Sequence, residues 1–109
     1  MIEKLIGEAT AEQIEQWKKE VKNKYGENAG VYEYKVDGRI AYLRSVDRDT
    51  YSMASTKVAT APAKFNEVVV QNIWLGGDET LKKVDQYYFG LIDFVEDLMG
   101  KKKGSLTEL

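Results

Sequence analysis

The stretch VYEYKVDGRIAYLR, residues 31–44, predicts a β-hairpin. Residues 31–36 and 39–44 are rich in Val, Ile, Leu and Tyr, the side chains that favour strands. Asp37-Gly38 lies between them and suits the positive φ angles of a tight two-residue turn. Because a lone hairpin is only marginally stable in water, we expect it to pack on a helix or to pair with another strand.

The hairpin also contains aromatic and basic side chains that suggest a second interpretation. Tyrosines and arginines can stack on single-stranded nucleic acid, but tyrosine in a strand more often packs against the core or a neighbouring strand. The 16 basic and 18 acidic residues give a net charge of −2, which offers no general attraction to a phosphate backbone. We therefore expect no nucleic-acid partner. The residues concerned are Tyr32, Tyr34, Tyr42, Arg39 and Arg44.

An amphipathic helix is predicted before the hairpin. Thr10 and Gln13 fit a capping box at its start, and Gly26 is well placed to end it. Between them, apolar side chains recur at spacings of three and four, which is typical of a helix with one buried stripe. These side chains are Ile14, Trp17, Val21 and Tyr25.

A second helix is predicted directly after the hairpin, in SVDRDTYSMAS. Asp47 is placed to cap its start, and Asp49 adds negative charge to the first turn, where it is favourable. Tyr51, Ala54 and Val58 then fall on one face.

The segment PAKFNEVVVQNIWL, residues 62–75, predicts a third helix. Pro62 fits the first helical position, where no N–H donor is needed. The valines lower helix propensity, so a strand at residues 67–71 is the alternative. We favour the helix because the apolar spacing continues past the valines. The stripe contains Phe65, Val68, Val69, Asn72 and Ile73.

The stretch IWLGGDET, residues 73–80, joins this helix to the last one. Two glycines before two acids can form a phosphate cradle, a calcium loop or a plain corner. The spaced glycines of a phosphate loop and the alternating acids of a calcium loop are both missing. We therefore expect Gly76 or Gly77 to end the helix in a left-handed conformation, and Asp78 to cap the next helix. Trp74 is expected half-buried beside this corner.

The longest apolar stripe follows and predicts the last helix, with an irregular first turn near residues 82–85. Gly100 can end this helix, and Lys101 to Lys103 then complement its last carbonyl groups. The stripe contains Leu81, Val84, Tyr88, Leu91, Ile92, Val95 and Leu98.

These elements predict an α+β fold with an N-terminal helix, a β-hairpin and three amphipathic helices around one small core. A chain of 109 residues suits one domain, which we place at residues 1–100. Residues 101–109 are expected to form a flexible basic and polar tail.

The composition limits the chemistry that the chain can perform. Without cysteine or histidine, it has no disulfide, no structural zinc site and none of the usual nucleophile–base pairs. We expect no cofactor and no metal. An enzyme would have to use other groups, and the four acids that could share a cleft are Asp47, Asp49, Asp78 and Glu79.

The chain has no stretch near the roughly 18 to 20 apolar residues that span a bilayer. Its start, MIEKLIGEAT, mixes acids into the first turns and lacks the basic and apolar blocks of a signal peptide. We therefore expect a cytoplasmic protein with no membrane partner.

Two segments resemble small proteins encoded in phages and prophages. They are AYLRSVDRDTYSMAS at residues 41–55 and PAKFNEVVVQNIWLGGDET at residues 62–80, followed by a closing amphipathic helix. The usual pattern has a Tyr-Leu-Arg/Lys strand, a Pro-Asp-Arg helix start and a segment like FNEILLxNCWxGGDE. Here Val46 stands where Pro is usual, and Ile73 where Cys is common. The resemblance covers roughly residues 31–109, and in size and layout these proteins are similar to the tail-assembly chaperones of long-tailed phages.

The resemblance implies a non-enzymatic protein, in the cytoplasm of a bacterial host, that binds the tape-measure protein and keeps its long apolar helices soluble. A small scaffold or regulatory binding module unrelated to tails is the alternative, and self-association through apolar faces is a further option. Large aromatic side chains dominate many interfaces, so they are the expected anchors of the partner surface. These are Trp17, Tyr51, Phe65, Trp74 and Tyr88.

Overall fold

The second strand of the hairpin is the centre of the structure. The computed structural model describes residues 4–56, 64–99 and 105–109, and these ranges contain five helices and one three-stranded antiparallel sheet, which confirms the α+β class. In chain order the elements are α1 (Ala11–Tyr25), β1 (Val31–Val36), β2 (Arg39–Arg44), α2 (Arg48–Ser55), α3 (Lys64–Ile73), β3 (Trp74–Gly77), α4 (Thr80–Lys83) and α5 (Asp85–Leu98).

Some sequence predictions fall outside those ranges. They concern Val58, Pro62, Gly100 and residues 101–103. Within the described ranges, no helix is both long enough and apolar enough to cross a bilayer.

The predicted hairpin is confirmed with its two-residue turn. Val36 pairs with Arg39, and Asp37 and Gly38 between them have φ angles of 49° and 73°. Positive φ at both central positions is what the primed turn requires, and it matches the twist of the two strands.

The two glycines of residues 73–80 do not end a helix, so that prediction is wrong. Helix α3 ends at Ile73, and the next four residues form β3, which pairs antiparallel with β2. The register places Ala41 opposite Gly77 and Tyr42 opposite Gly76. The open edge of β2 offers backbone groups that need partners, and a strand satisfies them where a helix corner would not.

The N-terminal segment continues the pairing along the same edge of β2 as β3. Ile40 N–H donates to the carbonyl of Ile6 at 3.0 Å, and Ile6 N–H donates to Gly38 at 2.9 Å. The carbonyl of Ile40 in turn accepts from Asp78 N–H at 3.0 Å. Strand β2 is therefore bonded along both edges.

Both faces of β2 are covered as well, so its side chains are buried without alternation. On one face, Tyr42 lies against Trp17 of α1, with 5.3 Å between ring centroids. On the other face, Leu43 joins the main hydrophobic core. The buried members of that core are Leu43, Ala54, Val69, Val70, Ile73, Leu91 and Val95.

Both glycines of β3 are required by close approach. A Cβ on Gly76 would lie 2.9 Å from the Trp17 ring. A Cβ on Gly77, whose φ is 133°, would lie 2.6 Å from the Cα of Ala41 and from the Ile40 carbonyl oxygen. Side chains at these positions would push α1 away from the sheet or separate β3 from β2.

The helix predictions hold with one change. Thr10 caps α1 by accepting from Gln13 N–H at 3.1 Å, and Gly26 ends that helix with φ 102°. Residues 67–71 are helical, as favoured over a strand. The last stripe is divided at Val84, which has extended backbone angles and is 42% exposed. The irregular turn near residues 82–85 is therefore a full break between α4 and α5.

The contact between Gly76 and Trp17 gives a test of the fold. We expect Gly76→Ala to lower the free energy of unfolding by about 1–3 kcal/mol, because the added methyl group overpacks the ring. In a Trp17→Ala background the same change should cost much less, since the two positions are coupled. Urea unfolding of the four chains measures this coupling.

Gly30→Ala is the matched control, because a Cβ there would make ordinary contacts with the Tyr32 side chain, at 3.5 Å from the hydroxyl oxygen and 3.6 Å from the ring. Equal losses at positions 30 and 76 would contradict the docking of Trp17 on β3.

Candidate protein-interaction surface

An arginine at each end of β2 forms an ion pair with an aspartate that precedes a helix. At the C-terminal end, the Arg44 guanidinium is 5% exposed and bonds the Asp47 carboxylate at 3.0 Å. It also donates to Thr50 Oγ1 at 3.2 Å and stacks on the ring of Tyr25, 4.0 Å from the centroid. Asp47 additionally accepts the hydroxyl of Thr50.

The predicted capping role of Asp47 is confirmed for its position but not for its side-chain bond. Asp47 is the N-cap residue of α2, yet its carboxylate caps no backbone N–H. Burial by itself raises the pKa of this carboxyl, but the hydrogen bonds from Thr50 and Arg44 outweigh burial and hold the pKa below its usual range. The side chain therefore ties α2 to the end of β2.

The N-terminal end of β2 repeats the arrangement with Arg39 and Asp78. Arg39 Nη1 lies 2.5 Å from Asp78 Oδ2, and the guanidinium lies 5.7 Å from the centroid of the Tyr87 ring. The hydrogen bond from Arg39 lowers the pKa of Asp78. Asp78 Oδ1 also accepts from Thr80 N–H at 3.1 Å, but the N-cap residue of α4 is Glu79, so the predicted cap position is wrong by one residue although Asp78 does bond the first turn.

The four acids considered for catalysis do not share one cleft. Asp47 and Asp78 are held at opposite ends of the six-residue strand β2, which is on the order of 16 Å long. Glu79 instead pairs with Lys82 at 2.7 Å on the protein surface. Among the described residues, no group of three or more acidic, His or Cys side chains could hold a metal ion.

The hairpin tyrosines and arginines do not form one exposed stacking platform. Tyr42 is 3% exposed and Arg44 is 5% exposed, each inside the contacts described above. Tyr34 packs on Phe94, with 5.1 Å between ring centroids. Tyr32 is the exposed member, at 42%.

Three of the predicted anchors are half-buried. Trp17 lies on the α1 side of the sheet, against Tyr42. Trp74 lies beneath the ammonium group of Lys82, 4.3 Å from the ring centroid. Lys82 also lines a surface cleft of about 360 Å³ with Tyr88. Lys82 thus contacts Trp74 and shares a cleft with Tyr88.

The cleft between α3, α4 and α5 has mixed charges. Burial raises the pKa of the Tyr88 phenol, and the nearby carboxylate of Glu67 raises it further, so Tyr88 stays neutral. Because acids and a lysine alternate around it, the cleft offers no concentrated charge to a small ligand. Its lining residues are Glu67, Val70, Gln71, Lys82, Asp85 and Tyr88.

The other two anchors, Tyr51 and Phe65, meet on the surface between α2 and α3. Their rings are 5.4 Å apart and nearly perpendicular, at 81°. Tyr51 is 44% exposed, while Phe65 is half-buried against the core. Met53, also on α2, is 50% exposed, and its sulfur lies 4.0 Å from the side-chain nitrogen of Asn72 on α3. We call Tyr51, Met53 and Phe65 the apolar ridge.

Sequence reasoning missed three features of these surfaces. It considered Arg39 and Arg44 only as nucleic-acid ligands. An arginine at each end of a strand, together with an aspartate just before a helix, indicates an ion pair at each strand end. Met53 and Phe89, which are 50% and 63% exposed, were not singled out. Helical spacing cannot reveal them, because it does not show which apolar side chains remain outside the core.

Comparisons with known proteins give no relative on which to base a function. No family model matches the chain. No curated protein and no solved structure matches it either.

Removing the acid at the end of β2 should be costly. We expect Asp47→Asn to lower the free energy of unfolding by about 2–4 kcal/mol, because Arg44 would be left buried without a counter-ion. Asp49→Asn is the control in the same turn, and it should cost about 0.3–1 kcal/mol through the helix dipole alone. If denaturant unfolding gave equal losses, the buried pair would not stabilise the junction.

Acid should weaken the fold through both aspartates. Their pKa values are lowered in the folded state, so their contribution is present above the unfolded pKa of about 3.9 and is lost as pH falls through the lower folded values. Urea titrations from about pH 6 to about pH 2 should show this loss, with a flatter acid limb for the Asp47→Asn/Asp78→Asn double variant. A double variant with the acid limb of the wild type would refute the assignment.

Proposed function

We propose that this protein is a non-enzymatic interaction protein that binds the apolar helices of a structural partner, as a phage tail-assembly chaperone or a relative of one. The observation that supports this most directly is the apolar ridge, defined by Tyr51, Met53 and Phe65. Two of its three side chains are 44% and 50% exposed although the core beneath them is closed. Exposed apolar side chains that gather into a contiguous patch are typical of partner sites.

The chemistry of the ridge suits a helical partner. Edge-to-face contact between Tyr51 and Phe65 holds both rings in fixed positions, which lowers the ordering cost of binding. Met53 has a flexible thioether that adapts to differently shaped apolar side chains. The aromatic pair and the methionine contact α3 at different points, Tyr51 at Phe65 and Met53 at Asn72, and so offer two contact points to the apolar stripe of an amphipathic helix.

The absence of a gathered acid cleft, within the part of the chain that the structure describes, also favours binding over catalysis. Asp47 and Asp78 each neutralise an arginine, so both carboxylates already have a structural role. The resemblance of residues 41–55 and 62–80 to phage proteins supplies the class of partner, which is the tape-measure protein. We accordingly place the protein in the cytoplasm of a bacterial host, where tails assemble.

Co-expression tests the proposal. We expect the chain to form a soluble complex with a tape-measure protein of a long-tailed phage, recovered through a tag on either partner. Tyr51→Ser and Met53→Ser should each weaken the complex at least about tenfold, or 1.4 kcal/mol, because truncating an interface anchor removes its buried contacts.

Phe89→Ser is the matched control, because Phe89 is 63% exposed but lies on α5. We expect it to leave the complex unchanged. Failure to form a complex with several tape-measure proteins would reject the chaperone assignment. Loss of binding in Phe89→Ser but not in the ridge variants would reject the ridge as the site.

A further inference from the structure

Among the described residues, no strand covers one edge of the sheet. Strand β1 lies at the edge of the order β1-β2-β3. Its residue Lys35 is opposite Ile40, whose N–H and carbonyl bond to Ile6 and Asp78 on the far side of β2. Lys35 therefore does not exchange backbone bonds with Ile40. By the alternation of antiparallel pairs, the backbone groups of Val31, Glu33 and Lys35 point away from the sheet.

These outward groups have no strand beside them in the described ranges, so they can bond a further extended strand. Glu33 and Lys35 carry opposite charges on the same face, with 3.2 Å between Lys35 Nζ and Glu33 Oε1. Both side chains are more than half exposed, at 54% and 55%. The edge therefore has both free backbone donors and acceptors and a charge pattern.

We propose that β1 pairs antiparallel with β1 of a second copy, forming a six-stranded sheet across a two-fold axis at Tyr34. In this register Glu33 of each copy is opposite Lys35 of the other. Those two pairs would exchange about four backbone hydrogen bonds. On the opposite face, Tyr32 lies across from Val36 of the other copy, which covers an aromatic ring that is 42% exposed in one copy.

The charges select this register over its neighbours. A shift that moves the two-fold axis to Glu33 would place Glu33 opposite Glu33. A shift to Lys35 would place Lys35 opposite Lys35. Like charges directly opposite each other are destabilising, whereas opposite charges are favourable, so the edge is self-complementary in one register only.

Charge exchange tests the pairing without disturbing the core. We expect sedimentation equilibrium to show a monomer–dimer equilibrium for the wild type. Glu33→Lys alone and Lys35→Glu alone should each weaken self-association at least about tenfold, because both then place like charges opposite each other. The double variant Glu33→Lys/Lys35→Glu should restore it, since the pairs are again opposite in sign.

A mixture of the two single variants tests the charge pairing most directly. One chain then presents two lysines and the other two glutamates, so the mixture should form a heterodimer at least about tenfold tighter than either variant alone. Glu15→Lys, which reverses a charge of an exposed ion pair on α1, is the control and should leave the wild-type dimer unchanged. A monomeric wild type at all concentrations, or a mixture no tighter than its components, would overturn the proposal.

A cross-link locates the axis, because the chain contains no cysteine of its own. Tyr34→Cys should give a disulfide-linked dimer under oxidising conditions, since directly opposed residues of a non-hydrogen-bonded pair lie within disulfide reach. Tyr32→Cys on the same face should not, because its two copies would be about 13 Å apart along the strand. Linkage through position 32 but not through position 34 would refute the register.

Discussion

Strand β2 is enclosed on both edges and both faces, and this enclosure positions the other elements. Its backbone groups bond β1 on one edge and β3 with Ile6 on the other, and helices cover both faces. A strand in this position cannot present charged side chains to water in its middle, which is why the arginines stand at its two ends. Arg39 and Arg44 each bind the aspartate that precedes a helix, so the placement of α2 and α4 follows from the placement of β2.

The glycines of β3 allow both the close pairing of β3 with β2 and the packing of α1 on β3. Gly76 lets the Trp17 ring lie directly on β3, and Gly77 lets β3 lie close to β2 at Ala41. Gly7 is equally constrained, because a Cβ there would lie 2.4 Å from the backbone nitrogen of Asp78. Close contacts at these three glycines thus lie along the same edge of β2. Together they allow the N-terminal segment, α1 and β3 to pack against one another.

The sequence predicted the turns, helix ends and helical segments that depend on short-range interactions. The Asp37-Gly38 turn, the Thr10 cap, the end of α1 at Gly26 and the helical state of residues 67–71 all follow from short-range preferences. The third strand could not be predicted in this way, because residues 74–77 become extended only through pairing with a strand some 35 residues earlier. The partner of Arg39 is also distant in sequence, whereas Arg44 and Asp47 are only three residues apart and their pairing could be inferred from the sequence. Of the surfaces, the sequence indicated Tyr51 and Phe65 but not their contact, which depends on how α2 and α3 pack.

The same enclosure explains which surfaces remain for partners. Burying β2 on both faces uses the inward stripes of α1, α3 and α5, and the apolar groups left in water include the α2–α3 ridge, Phe89 on α5 and Tyr32 on the open edge of β1. These surfaces differ in kind. The ridge offers side chains and suits a helix, whereas the edge offers backbone groups and suits a strand. A chain that dimerises through β1 would keep both of its ridges free, because α2 and α3 make few contacts with that strand. Two ridges on one dimer could then engage successive segments of a long helical partner, with the gain in affinity that bivalent binding gives.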